Sequence, residues 1–127
     1  MPPGRAYTPE VSTSLQATAA QLAGRRATAR AELGQREAQV RARLPAAAAL
    51  LRDVFGAENV WLFGSYALGR LHAGSDVDLA VEGIPPTMID RAHGAVEALL
   101  DATVDLVPVE QAPERLRMRL RAEGVRL

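Results

Sequence analysis

Two carboxylates, Asp76 and Asp78, stand two residues apart at the head of an apolar stretch, and a Gly64-Ser65 pair precedes them by ten intervening residues. The first half reads Val60-Trp61-Leu62-Phe63-Gly64-Ser65, and the second reads Asp76-Val77-Asp78-Leu79-Ala80-Val81. Side chains at i and i+2 of a strand leave the same face, so Asp76 and Asp78 are expected to point together, with Val77 turned inward. Two adjacent acids repel each other, and a hard divalent cation with oxygen ligands relieves that repulsion. A glycine turn with free backbone donors suits phosphates. A lone Asp-x-Asp is most often a solvated strand end, and a lone Gly-Ser a turn. Together they imply chemistry on a metal-bound nucleoside triphosphate.

The elements that must hold these residues follow from the pattern around them. Apolar runs predict strands at 59–63, 77–82 and 103–108, and the last of these carries Asp105. A short helix is expected at about 65–70, another from about Thr87 to Leu100, and a last one from Gln111 to Glu123 with Gly124 at its end. Upstream, Val11, Leu15, Leu22, Ala29, Leu33, Val40, Leu44 and Leu51 follow one another at steps of four or seven. That spacing predicts a long helix over 10–44 and, because Pro45 interrupts it, a second helix over 46–55 stopped by Gly56. The three Pro and one Gly of residues 1–9 read as a flexible tail. Residues 10–44 form an amphipathic extension, and 45–127 the domain bearing the motif. Alternating strands and helices of this length give an α/β (α+β) class, a small sheet layered with helices.

From Gly64-Ser65 through Asp76-Val77-Asp78 to Thr103-Val104-Asp105-Leu106-Val107, the chain resembles the minimal nucleotidyltransferases of the DNA polymerase beta superfamily. The resemblance covers roughly residues 45 to 127 and extends to the closing helix of the small antitoxin members, paired with HEPN toxins. It implies a polymerase-beta-like sheet and a Mg²⁺-dependent transfer of AMP from ATP, with two Mg²⁺ or Mn²⁺ ions. Asp76, Asp78 and Asp105 would be catalytic and metal-ligating. Gly64, Ser65, Arg70 and Ser75 would bind the nucleotide. Relatives often carry Arg where this chain has Leu68, and Arg70 is the nearest cation to replace it. In the antitoxin role the acceptor would be a tyrosine hydroxyl of a HEPN-type toxin. Two alternatives stand beside this one: a non-catalytic antitoxin or regulator that masks its partner, and a nucleotidyltransferase acting on a small molecule.

Composition narrows the partners. The chain has 127 residues and no Cys, which excludes disulfides and thiolate metal sites. No apolar stretch reaches the ~18 residues needed to span a bilayer, and the N-terminus lacks the apolar core of a signal peptide, so a cytoplasmic protein is expected. Residues 1–44 hold seven Arg and three Glu, whereas 45–127 hold eight Arg and twelve acids. An acidic motif-bearing half suits a metal site and argues against nucleic acid as a direct ligand. The narrow apolar stripe of 10–44 would pack on a second copy or a partner chain, or else buttress this domain's own sheet. His72, in the motif loop, reads as solvated, His93 as a surface residue, Trp61 as core, and Met88 and Met118 as core fillers.

Overall fold

The computed structural model describes residues 4–71 and 75–127, with side chains from residue 18 onward. His72 and the side chains of Val11 and Leu15 lie outside the described residues. The fold divides between Gln35 and Arg36 into two units. Helix α1, Gly4–Asp53, begins in the first and ends in the second. In the first unit the described side chains are exposed apart from half-buried Leu33.

From Arg36 onward α1 is a core helix. Val40, Leu44, Ala47, Ala48 and Leu51 recur at steps of three and four and are all buried, the stripe expected of a helix packed against a sheet. Pro45 does not divide the helix as the sequence suggested. It lies exposed inside α1, where the lost N–H and ring clash cost about 3 kcal/mol. Burial of the stripe on both sides, at about 1.5–3 kcal/mol for each large side chain, exceeds that cost. The end at Gly56 is as expected. Gly56 has φ +81, its N–H bonds Arg52 O at 3.1 Å, and Ala57 N–H bonds Leu51 O at 2.9 Å. The Gly56–Arg52 bond is the 5→1 closure of an αL cap, and the Ala57–Leu51 bond nests around it.

The sheet contains β1 (Asn59–Phe63), β2 (Val77–Glu82), β3 (Val104–Pro108) and β4 (Val125–Arg126), in the order β3-β2-β1-β4. Strand β1 runs antiparallel to β2 and β4, while β2 and β3 are parallel. The parallel pair requires a crossover. It is supplied by a 3₁₀ turn, Pro86–Met88, and helix α3, Ile89–Leu100. On one face Val60, Leu62, Val77, Leu79, Val81, Val104 and Leu106 form the core with the α1 stripe and with Ala92, Val96 and Leu100 of α3. By alternation the other face carries Trp61, Phe63, Asp78, Ala80, Glu82 and Asp105. Helix α2 (Gly64–Leu68) follows β1 directly, and α4 (Glu114–Glu123) packs against α2 and β1.

The mixed α/β class is therefore as expected, with four differences of detail. Trp61 is half-buried on the face opposite the core, not within it. Strand β4 is only two residues long, too short to leave a periodic signal. Met118 is exposed at 59%, not core. His93 is half-buried, with Nε2 2.6 Å from the Val104 carbonyl oxygen. Glu97, one turn later, accepts the Val104 N–H at 2.9 Å. Strand β3 is a sheet edge, and these two side chains occupy backbone groups that an edge leaves open.

Candidate active site

Gly64 is the hinge between β1 and α2. Its φ is +69, a conformation that side chains other than glycine's disfavour, and a Cβ there would overlap the Asp78 carboxylate. Asp78 faces Phe63 across the β1–β2 register and Asp105 across the β2–β3 register. The turn, Asp78 and Asp105 thus meet at one end of the sheet, on the face opposite the core.

Asp78 is half-buried, and burial raises the pKa of its carboxyl above the ordinary aspartate value. The neighbouring charges of Asp105 and Asp76 push it the same way, while Arg119 opposes them. Asp76 precedes β2, so strand alternation does not govern its direction, and its side chain is exposed. With Ser75, Tyr66, Thr103, Arg36 and Gln39 it borders a cleft of about 190 Å³. Among the described residues, no three Asp, Glu or His side chains come close enough to enclose an ion. The donor set at Asp78 and Asp105 is carboxylate oxygen raised in proton affinity at Asp78, which fits a hard divalent cation and not a soft one.

The remaining expected residues fall nearby. Ser65 is half-buried in the first turn of α2, and its carbonyl accepts the Arg70 N–H at 3.0 Å. Arg70 is exposed and follows the left-handed Gly69 that ends α2.

Two arginines that sequence reasoning passed over reach this end of the sheet. Arg41 of α1 donates from Nη2 to the Tyr66 carbonyl at 2.8 Å, its guanidinium carbon stands 5.5 Å from the Tyr66 ring centroid, and Glu37 Oε1 holds its Nε at 2.9 Å. Tyr66 itself is buried, which raises its phenol pKa. Arg119 of α4 lies 5.8 Å from the Phe63 ring centroid and donates from Nε to Glu123 at 3.2 Å. Both arginines belong to i,i+4 acid–base pairs visible in the sequence, but nothing there says which pair turns toward the motif.

The model of the nucleotidyltransferase domain matches residues 48–127. A solved protein assigned as a minimal nucleotidyltransferase is 33% identical over 72% of this chain and 95% of its own, with a TM-score of 0.64. A crystal structure of a toxin–antitoxin with AMP-PNP is 31% identical over 61% of this chain and 65% of that one, at a TM-score of 0.55. The tri-AMPylated Shewanella oneidensis HEPN toxin in complex with MNT antitoxin aligns at 23% identity over 72% and 70%, with a TM-score of 0.52, a likeness of fold alone. The aligned region spans just under two thirds of the AMP-PNP-bound relative. No curated protein is significantly similar to the chain.

Proposed function

The chain belongs to the nucleotidyltransferase domain family, and from that premise we propose that it transfers AMP from ATP to a hydroxyl of a HEPN-type toxin, acting as its antitoxin. The observation that carries the chemistry is the in-register pair Asp78–Asp105 set against the Gly64 turn. Support for the nucleotide comes from the likeness to the AMP-PNP-bound relative, and for the partner from that relative's being a toxin–antitoxin complex.

In this reading the acceptor hydroxyl, a tyrosine's, attacks the α-phosphorus of ATP. A new phosphorus–oxygen bond forms to the acceptor, the bond to the β-phosphate's bridging oxygen breaks, and pyrophosphate leaves. The hydroxyl proton passes to the Asp105 carboxylate or to water beside it. Gly64 lets the backbone approach the phosphates, Ser65 and Ser75 donate hydroxyls, and Arg70 adds a charged contact from the rim of the turn. Asp78 and Asp105 would hold Mg²⁺ or Mn²⁺, and exposed Asp76 would join them as a third ligand on turning toward the ion, which would supply charge neutralisation at the attacking and leaving oxygens. In this reading residues 45–127 are the transferase domain, and the helical extension of 10–44 docks the partner through its 18–35 stretch, where the described side chains are exposed apart from Leu33.

The test is a mass spectrum of the product of the neighbouring gene, as the candidate toxin, after incubation with the chain, ATP and Mg²⁺. We expect the toxin to gain one or more AMP units, and Asp78→Asn to abolish the gain. A stable complex without any adduct would replace transfer by masking.

A further inference from the structure

We propose that Arg119 is a phosphate-binding residue of the transfer site, presented by α4 across from the Gly64–Ser65 turn. The inference rests on the nucleotidyltransferase reading above and adds to it a residue outside the Gly-Ser and Asp-x-Asp motifs.

The placement comes first. Phe63 immediately precedes Gly64 and is the register partner of Asp78, so a guanidinium over its ring stands where the turn and the carboxylates converge. Arg119 stands there, 5.8 Å from the ring centroid, and its charge acts on Asp78. The other arginines of α4 with described contacts are engaged elsewhere. Arg117 donates to the carbonyls of Val109 and Glu110, both at 3.3 Å, and Arg121 lies 3.9 Å from Glu114.

The interactions that Arg119 makes within the chain do not account for it. Its Nε–Glu123 pair is half-exposed, with Arg119's side chain 51% accessible, and such pairs contribute little to stability. Its contact with Phe63 is a cation–π one, worth about 0.5–1 kcal/mol at an exposed position, and such a contact does not consume the N–H donors. What arginine adds is a planar fork of donors. Glu123 engages Nε, and the two terminal nitrogens have no hydrogen-bond partner among the described residues. Paired N–H groups in one plane match two oxygens of a phosphate. A cation here also sits beside the acids that crowd Asp78, where a triphosphate brings more negative charge than those carboxylates tolerate unaided.

The test titrates magnesium–ATP and, separately, magnesium–tripolyphosphate into the full chain by calorimetry, for wild type, Arg119→Gln, Arg119→Lys and Arg115→Gln. Arg115 is exposed one helical turn before Arg119 and is not among the charges that act on Asp78, so its variant makes the same charge change without removing that contact. Arg119→Gln is expected to weaken both ligands about tenfold or more, Arg119→Lys less, and Arg115→Gln hardly at all, with unchanged thermal midpoints. Equal losses for both ligands place the contact on phosphate. The proposal is overturned if Arg119→Gln binds like wild type, if it weakens ATP but not tripolyphosphate, or if Arg115→Gln loses as much. Should wild type bind neither ligand, the nucleotidyltransferase reading falls, and this contact with it.

Discussion

The Asp78 carboxylate occupies the space into which a side chain on Gly64 would project. The turn that would receive phosphate and the acid that would hold its counter-ion are therefore fitted to each other through a missing Cβ. Gly64→Ala must relieve both the overlap and a φ of +69, the latter alone costing about 1–2 kcal/mol. The expected result is a folded chain with a lower melting midpoint and toxin adenylylation reduced about a hundredfold, as for a site displaced by roughly 1 Å. A variant that transfers AMP at the wild-type rate would show that the close approach has no part in the chemistry.

Asp78 also trades stability for its position. Burial first, and then Asp105, raise its pKa, so the native chain holds this proton more tightly than the unfolded chain does. Stability then falls as pH climbs from the ordinary aspartate value through the raised native one, and stays lowered above it. Asp78→Asn removes the buried charge. It should melt higher than wild type at neutral pH, with the difference closing as pH falls through the carboxylate range, while transfer is lost. Thermal melts across that range check the sign; a variant less stable than wild type at neutral pH contradicts the account.

Arg41 links the core portion of α1 to the turn by two contacts, with the Tyr66 carbonyl and the Tyr66 ring, while Glu37 of the same helix holds its Nε. Since Tyr66 follows Ser65, loosening α2 should be felt at the phosphates. Arg41→Ala is expected to cost about 1 kcal/mol of stability and to raise the KM for ATP severalfold with a smaller change in kcat. Arg41→Lys keeps the charge but not the fork, and should recover only part of the loss. Steady-state kinetics of the three chains separate positioning from mere stability, because a destabilised but correctly set site would keep its KM.

How much of this was legible in the sequence depended on the range of the interaction. Gly64, Asp78 and Asp105 could be read because strand periodicity and a glycine turn are local signals, and the register then brought the two acids side by side. Asp76 shows where alternation stops, since β2 begins one residue later. Pro45 misled because a local helix breaker was outweighed by the tertiary burial of Leu44, Ala47, Ala48 and Leu51. Arg41 and Arg119 lie 25 and 41 residues from Tyr66 and Asp78 in the sequence, and only the packing of α1 and α4 decides which way each side chain turns.

The same limit hid the clamp on β3, and its consequence reaches Asp105. Val104 precedes Asp105 on an edge strand, its N–H held by Glu97 and its carbonyl by His93. In Glu97→Ala the Val104 N–H loses its partner in a partly buried place, at a cost of about 1–2 kcal/mol. Strand β3 still pairs with β2, so the chain should fold, but its first residues would fray and Asp105 would wander from Asp78. We expect faster hydrogen exchange at the Val104 amide and a lower kcat for transfer, with the affinity for magnesium–ATP nearly unchanged because the Gly64–Ser65 turn is untouched. If exchange quickens while kcat stays at the wild-type value, Asp105 does not need a fixed strand, and its role beside the acceptor hydroxyl would have to be given up.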